Sequence, residues 1–381
     1  MTGFRMPTRI LIEPGCRHRL SEILATHGWS RVLLIVDPGL SATVWPQDLR
    51  DHLTQAGAAV EVFDALLPNP RLSSAKSAAD LARDHRADVL VALGGGSALD
   101  TAKAAAMLAT NHGDPLEFVG KNRFATDPLP MIALPTTCGT GSEVTWVSVL
   151  TDPDAHTKVS IKGDGMFPDV ALVDSDYLET LPPSLIAATA MDAMTHAVEA
   201  YIGTEANPIS DALAEKAIAL LWHHLAPCYT SSGRDGEARN QVARASTLAG
   251  MAFGNADVAG VHCLSESLGA MFDVPHGLAN AILLVPVLRY QRAVIVARLD
   301  RLMRRVAPGF TGDAETGATA FLEGLAALGS RVDIPPFAAL DIPGEALGQV
   351  AEKAEANGSN PSNPMPMAAE DYLHILRALL G

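Results

Sequence analysis

The chain has 381 residues, of which 48% are hydrophobic and 19% are charged. This composition is typical of a folded protein and not of a disordered one, and the length predicts at least two domains. The net charge of -15 argues against nucleic acid and anionic membranes as partners. Four widely spaced cysteines, and the lack of an apolar run long enough for a signal peptide or a spanning helix, predict a soluble, cytoplasmic protein.

Short apolar segments alternate with helical ones in the first half of the chain. Each apolar segment is rich in Val, Ile or Leu and is bounded by Gly, Pro or Asp, as strands are. We predict strands at residues 31–37, 58–64, 87–96 and 130–137. The stretches between them, such as 46–57 and 73–85, carry apolar residues at helical spacing. This alternation predicts a Rossmann-like α/β domain with a largely parallel sheet covered by helices on both faces.

The pattern changes near Leu181, where the short apolar runs stop. Segments 184–203, 209–227 and 237–256 are long, rich in Ala and free of interior proline, which is typical of helices. We therefore predict an all-α second half, with domains at residues 1–180 and 181–381.

A glycine-rich turn, Gly94–Ser97, leads from an apolar strand directly into a helix. Glycines let the backbone approach a ligand, and the N–H groups at a helix start favour a phosphate, so a dinucleotide would fit here. The alternative is a plain strand-to-helix turn, since the segment is not the usual GxGxxG. Asp37, at the end of an earlier strand, would bond ribose hydroxyls and favour NAD over NADP, although aspartate is common at strand ends.

A second polar cluster, PTTCGTGSEVT at residues 135–145, also follows an apolar run. Its hydroxyls and small side chains suit contact with a phosphate or with a nicotinamide amide. The same residue types are ordinary in loops, so the cluster alone does not decide between a binding segment and a plain loop.

Four residues of the second half form a candidate metal site. Asp192 and His196 lie four residues apart in a helical segment, so they share one face, and burying them among Ala and Met is costly unless they share a partner. A surface carboxylate–imidazole pair is the alternative for these two residues. His262 and His276 follow in neighbouring helical segments. Three imidazoles and one carboxylate suit Fe(II) or Zn(II), with room for an oxygen ligand from a substrate.

Four motifs together resemble the iron-containing (group III) alcohol dehydrogenase family: GGGSALDTAK, PTTCGTGSEVT, MDAMTHAVEAY and HCLSESLGAMFDVPHGLANA. They occur in the family's order, and the resemblance extends over nearly the full chain. It implies a dinucleotide-binding α/β domain followed by a helical metal-binding domain, the architecture shared with dehydroquinate synthase. It also implies a homodimer or a higher homo-oligomer.

The resemblance also assigns residues to the two sites. The metal ligands it implies are Asp192, His196, His262 and His276, usually with Fe(II) and in some members with Zn(II). The residues at positions where the family binds the dinucleotide are Asp37, Asn69, Gly94, Gly95, Gly96, Ser97, Asp100, Thr136, Thr137, Thr140 and Lys158. For Lys158 only the resemblance argues against a plain solvated lysine.

Glu266 departs from the family pattern, because many members carry a histidine four residues after the third metal ligand. On a helix, Glu266 lies one turn from His262 on the same face, so its carboxylate should be close to the metal or to the substrate. Three roles remain open: a proton carrier, a partner of the metal or of its ligands, and a group that disfavours anionic substrates. We place Glu266 and His276 among the catalytic residues.

The expected activity is NAD-dependent, divalent-metal-dependent interconversion of a small alcohol with its aldehyde or ketone by hydride transfer. One alternative is a polyol oxidoreductase of the same superfamily that resembles glycerol dehydrogenase. The other is a catalytically silent nucleotide-binding protein, which would have no need of four metal ligands.

Overall fold

The structure, a computed structural model, describes residues 3–67, 70–152 and 157–380. The chain divides into two units. One is Met6–Leu181, and the other begins at Pro182 and includes residues 3–5.

The N-terminal unit alternates strands with helices. Its strands are β1 (Arg9–Ile12), β2 (Arg31–Val36), β3 (Ala59–Phe63), β4 (Val89–Gly94), β5 (Gly120–Lys121), β6 (Met131–Pro135), β7 (Val147–Asp152), β8 (Thr157–Lys162) and β9 (Val170–Val173). Its helices are α1 (Leu20–His27), α2 (Trp45–Gln55), α3 (Leu72–His85) and α4 (Gly96–Thr110).

Six strands form a parallel sheet in the order β1-β9-β6-β4-β2-β3. Successive side chains of a strand point to opposite faces, and the sheet is covered on both. Leu33 and Ile35 pack with α3 and α4, whereas Val32 and Leu34 pack with α1 and α2. The four predicted strands correspond to β2, β3, β4 and β6. Because all pairs are parallel, their carboxyl ends meet at one edge of the sheet.

A smaller sheet, in the order β5-β8-β7, was not predicted from the sequence. β7 and β8 pair antiparallel, with Val147 opposite Lys162. Alternate residues of β7 are buried, and the remainder are partly exposed, so neither strand has the continuous apolar run that marks the central strands.

The C-terminal unit is helical, and the predicted fold class, an α/β unit followed by an all-α unit, is confirmed. Its helices are α5 (Pro183–Ile202), α6 (Pro208–Thr230), α7 (Gly236–Phe253), α8 (Gly260–Phe272), α9 (His276–Val306), α10 (Ala314–Arg331), α11 (Leu347–Glu355) and α12 (Ala369–Ala378). Among the helices described, none is both long and apolar enough to cross a membrane.

Helix α5 lies at the centre of this unit, in contact with α6, α7, α8 and α9. Every residue from 190 to 202 is buried. A helix buried on all sides normally carries apolar residues all round. Here the buried stretch also contains Asp192, His196 and Glu199, so their polar groups need partners inside the unit.

Candidate metal centre and cofactor turn

The four predicted metal ligands lie together in the C-terminal unit. One ligand atom from each of Asp192, His196, His262 and His276 lies within 4.8 Å of all the others. Asp192 Oδ1 is 4.0 Å from His196 Nδ1, 3.9 Å from His262 Nε2 and 3.8 Å from His276 Nε2. These separations are too long for hydrogen bonds between the carboxylate and the rings. The four groups therefore converge on a common point.

Three helices supply the four side chains. Asp192 and His196 lie one turn apart on α5, His262 lies in the first turn of α8, and His276 is the first residue of α9. Gly277 permits a close approach of α9 to α5, because a Cβ at this position would lie 2.8 Å from the backbone oxygen of Ala188. The ring of His196 stacks on Phe253 of α7, with centroids 4.1 Å apart.

Asn280, one turn after His276 on α9, contacts three of the four ligand atoms. Its Nδ2 donates to Asp192 Oδ1 at 2.6 Å and lies 3.1 Å from His262 Nε2 and 3.2 Å from His276 Nε2. Its Oδ1 is buried without a hydrogen-bond partner among the described residues. A buried acceptor with no donor is costly, so this amide is poorly satisfied by the protein alone.

Glu199 holds His262 from the other side. Its Oε2 lies 2.5 Å from His262 Nδ1, and its Oε1 accepts a hydrogen bond from the backbone N–H of Val261 at 2.6 Å. This leaves His262 Nε2 directed at the cluster. A histidine that binds a metal commonly donates its other ring N–H to a carboxylate in this way.

Electrostatic interactions within the cluster oppose the effect of burial on the pKa values of Asp192 and His262. Burial would raise the pKa of the Asp192 carboxyl, yet the net effect of the three surrounding histidines and Asn280 lowers its pKa. Burial would likewise lower the pKa of His262, but the Glu199 carboxylate raises it. Asp192 is therefore held as the anion, which is the form that binds a cation.

The donor set fits a divalent transition metal. One carboxylate and three imidazoles are the ligands that Fe(II) and Zn(II) accept. Beside them, the buried Asn280 Oδ1 is a polar atom for which the described residues provide no hydrogen-bond donor. The side chains of Asp192, His196 and His262 are at most 6% exposed, whereas that of His276 is 33% exposed. A small molecule would therefore reach this centre from the side of His276.

A second group of predicted residues lies at the carboxyl edge of the large sheet. A Cβ on Gly94 would lie 2.7 Å from the Cβ of Asp37, and one on Gly96 would lie 2.7 Å from Thr140 Cγ2. Gly95 approaches Thr137 in the same way, at 3.0 Å. The glycines are therefore required, because any side chain on the turn would displace residues of the neighbouring segments.

The turn leads into an uncapped helix. Gly95 precedes α4 and provides no side-chain cap, and Gly96 and Ser97 in the first turn are partly exposed. Thr136 donates its backbone N–H to the carbonyl of Gly94 at 3.0 Å, which sets the hydroxyl-bearing segment beside the turn. Exposed N–H groups and nearby hydroxyls are what a phosphate requires.

Asp37 borders a cavity of about 240 Å³ at the ends of β2 and β3, whose lining is part polar, with Ser41 and Thr43, and part apolar, with Val36 and Val62. Its Oδ1 accepts a hydrogen bond from the backbone N–H of Gly39 at 2.9 Å. Its Oδ2 has no hydrogen-bond partner among the described residues. The carboxylate is thus fixed in place with one oxygen left to accept from a ligand.

Two predicted cofactor residues, Asp100 and Lys158, are not among these contacts, and a third is not described. Both oxygens of Asp100 accept from protein groups, the Ser142 hydroxyl and the Val149 N–H. Lys158 lies in β8, opposite Thr151 of β7. Asn69 falls outside the described residues. Contact of these three with a cofactor stays a prediction.

Glu266 lies one turn after His262 on α8 and is partly exposed, but it is not among the four converging ligands. Its Oε2 accepts a hydrogen bond from Asn357 Nδ2 at 2.6 Å. The Asn357 amide is itself oriented by the N–H of Ser359, which donates to its Oδ1 at 2.9 Å. Glu266 Oε1 has no partner in the part of the chain that the structure describes.

Sequence reasoning missed Glu199 and Asn280. A signal for each was present: Glu199 lies seven residues after Asp192 on the same helix, and Asn280 lies four residues after His276. Both spacings place the side chain on the face that carries a ligand.

Comparisons with known proteins agree with the geometry. The family model described as "Iron-containing alcohol dehydrogenase" matches residues 7–175, and that of "Fe-containing alcohol dehydrogenase family, C-terminal" matches residues 186–380. Alcohol dehydrogenase 4 of Saccharomyces cerevisiae is 32% identical over 378 residues, which cover 99% of this chain and 98% of that protein.

Two solved structures resemble the whole chain. A crystal structure of 1,3-propanediol oxidoreductase matches with a TM-score of 0.96 at 32% identity, covering 100% of both chains. A sulfoacetaldehyde reductase from Bifidobacterium kashiwanohense, in complex with NAD+, matches with a TM-score of 0.91 at 27% identity, covering 100% of this chain and 98% of that one. The chain thus belongs to the iron-containing alcohol dehydrogenase family and is an oxidoreductase, as the resemblance predicted.

We expect Glu199→Gln to weaken metal binding by about 10- to 100-fold, because His262 loses the charged acceptor that orients it. Competition with a chelator measures this affinity, and circular dichroism reports whether the variant is folded. Glu205→Gln, at an exposed carboxylate of the same unit, is the control and should bind metal as the wild type does. An unchanged affinity in a folded Glu199→Gln protein would show that Glu199 does not support a metal ligand.

Proposed function

We propose that the protein catalyses the reversible oxidation of a small alcohol to its aldehyde or ketone, with NAD as hydride acceptor and a divalent cation bound by Asp192, His196, His262 and His276. The observation that carries the proposal is the convergence of these four buried or half-buried side chains. Iron(II) is the proposed metal, and zinc(II) suits the same ligands. Family membership and the similarity to a dehydrogenase structure support the reaction class.

The cation would supply Lewis acidity at the alcohol oxygen, and NAD the acceptor for the hydride. The protein's contribution is orientation and charge. Asp192 provides the negative charge of the ligand set, and Glu199 fixes the ring of His262. His276 lies on the exposed side of the centre, so we place the alcohol next to it.

For the cofactor, we propose that the diphosphate binds at the start of α4, near Gly95 and Gly96, with Thr137 and Thr140 beside it. The lack of a side-chain cap on this helix and the close packing of the two threonines on the glycines support this. Asp37 would accept from the ribose hydroxyls and repel a 2′-phosphate, which favours NAD over NADP.

We assign the hydroxyl proton of the alcohol to Glu266. This carboxylate is partly exposed, lies one turn from His262, and has one oxygen held by Asn357 and the other without a partner among the described residues. Such a group is positioned to accept a proton and release it to solvent. The Glu266→Gln variant also tests the two other roles, a partner of the metal or of its ligands and a group that disfavours anionic substrates.

We further propose a cytoplasmic homodimer. The family resemblance supports the dimer. None of the four cysteines forms a disulfide, and all four are buried, which suits a reducing compartment.

The activity test is NADH formation by the metal-free protein after addition of Fe(II) or Zn(II), across a panel of small alcohols and diols. We expect turnover that needs both metal and NAD and stops when a chelator is added. His262→Ala should lose activity by about 1000-fold or more, since the ligand set is then incomplete. His223→Ala, at an exposed histidine of the same unit, is the matched control and should remain active.

Turnover that persists in His262→Ala, or in the presence of the chelator, would contradict the metal-dependent mechanism. Stoichiometric binding of metal and NAD with no turnover on any alcohol would favour a silent nucleotide-binding protein.

Glu266→Gln should lower kcat by about 100-fold and flatten its dependence on pH, because the amide cannot accept the proton. Metal affinity should stay within about threefold of the wild type, since Glu266 is not among the four ligands. Glu355→Gln, at an exposed carboxylate on α11, is the control.

A kcat that is unchanged across pH would remove Glu266 from the proton path. A large loss of metal affinity would make Glu266 a metal ligand instead. A gain of activity confined to anionic alcohols would make it a substrate filter.

A further inference from the structure

Lys103 is a fully buried lysine in the helix that follows the glycine turn. Its side chain is 0% exposed, and its Nζ donates to Thr145 Oγ1 at 3.0 Å and to the carbonyl of Val147 at 2.9 Å. Asp100 Oδ1 lies 3.6 Å away. Burial lowers the pKa of Lys103, and Asp100 opposes this effect. An ammonium group is rarely buried so completely. Its three partners lie on the segment that follows β6, as Thr145 and Val147 do, or on α4, as Asp100 does.

Asp100, one turn earlier on α4, is joined to the same segment. Its carboxylate accepts from the Ser142 hydroxyl and, at 2.9 Å, from the Val149 N–H. Its backbone carbonyl accepts from Ser148 Oγ at 2.7 Å. The two residues thus attach one turn of α4 to residues 142–149 through five hydrogen bonds.

The residues between β6 and this attachment carry the hydroxyls that face the glycine turn. At one end, the N–H of Thr136 donates to the carbonyl of Gly94. At the other, Ser142 is held by Asp100. Thr137 and Thr140 lie in between, packed against Gly95 and Gly96. Fixing both ends of so short a span leaves these two side chains little freedom.

Stability alone does not explain an ion pair between a fully buried lysine and a partly exposed aspartate. Apolar residues of similar volume in such places are often as stabilising or more so, whereas a charged network fixes one particular arrangement. Here the network of Asp100 and Lys103 fixes the segment that packs Thr137 and Thr140 against Gly95 and Gly96.

We propose that Asp100 and Lys103 are positioning residues, which hold Thr137 and Thr140 on the glycine turn and thereby set the affinity for the dinucleotide without contacting it. The link to the dinucleotide rests on the proposed function, whereas the positioning of the segment does not. Asp100 thus acts on cofactor binding indirectly, and Lys103 shares this role.

The first test needs no cofactor. Amide hydrogen exchange of residues 137–142 should become at least about tenfold faster in Asp100→Asn and Lys103→Met, because one end of the segment is released. Ser142→Ala, which removes a single donor, is a milder variant for the case in which the charge variants do not fold. Leu24→Ala is the control, since it disturbs the apolar layer on the opposite face of the sheet. Unchanged exchange in folded Asp100→Asn or in Ser142→Ala overturns the positioning role.

The second test is a double-mutant cycle on the Kd for NAD+, with every variant checked for folding. Asp100→Asn alone should weaken binding by about tenfold or more, but by less than about threefold when Thr137→Ala and Thr140→Ala are already present. Leu24→Ala should lower the Tm and leave the Kd unchanged, as a purely structural change does.

The outcomes separate the two proposals. Additive effects in the cycle would overturn the inference, since Asp100 would then act on the cofactor independently of the threonines. Failure of the wild type to bind NAD+ would overturn the proposed cofactor, and hydrogen exchange would still decide whether Asp100 and Lys103 hold the segment.

Discussion

The structure of the C-terminal unit depends on the burial of polar and charged side chains on its central helix, α5. Asp192, His196 and Glu199 occupy a stretch of α5 in which every residue is buried, and removing such groups from water is expensive. The unit meets this cost by bringing His262 and His276 from two other helices to the same point. A cation at that point would offset the remaining cost, and the same residues would then serve both the folding of the unit and the proposed reaction.

The N-terminal unit depends on a different constraint, namely that three consecutive residues of one turn are glycines. Gly94, Gly95 and Gly96 bring the end of one strand against Asp37 and against the threonines of the next segment. Parallel strands place these segments at one edge, and the uncapped start of α4 opens there. The groups proposed to bind the cofactor therefore come from distant sequence positions, and the glycines determine how closely these groups approach one another.

Much of this organisation was predictable from local pattern. Central strands such as β2 and β4 are continuous apolar runs, and the candidate ligand pair on α5 follows from a spacing of four residues. The local sequence pattern does not predict how the helices pack against one another. Glu199 meets His262 across 63 residues, and Asn280 meets Asp192 across 88, so neither contact has a local signal beyond helical spacing. The smaller sheet was missed for a related reason, because its strands are only partly buried.

If the buried cluster on α5, α8 and α9 is a cation site, a bound cation should contribute to the stability of the fold. The most direct measurement is thermal unfolding of the metal-free protein with and without one equivalent of Fe(II), kept anaerobic, or Zn(II). Because a ligand that binds only the folded state raises its stability, the Tm should rise by several degrees in the wild type and remain unchanged in Asp192→Asn. An identical Tm with and without metal in the wild type would show that the cluster does not bind a cation that stabilises the fold.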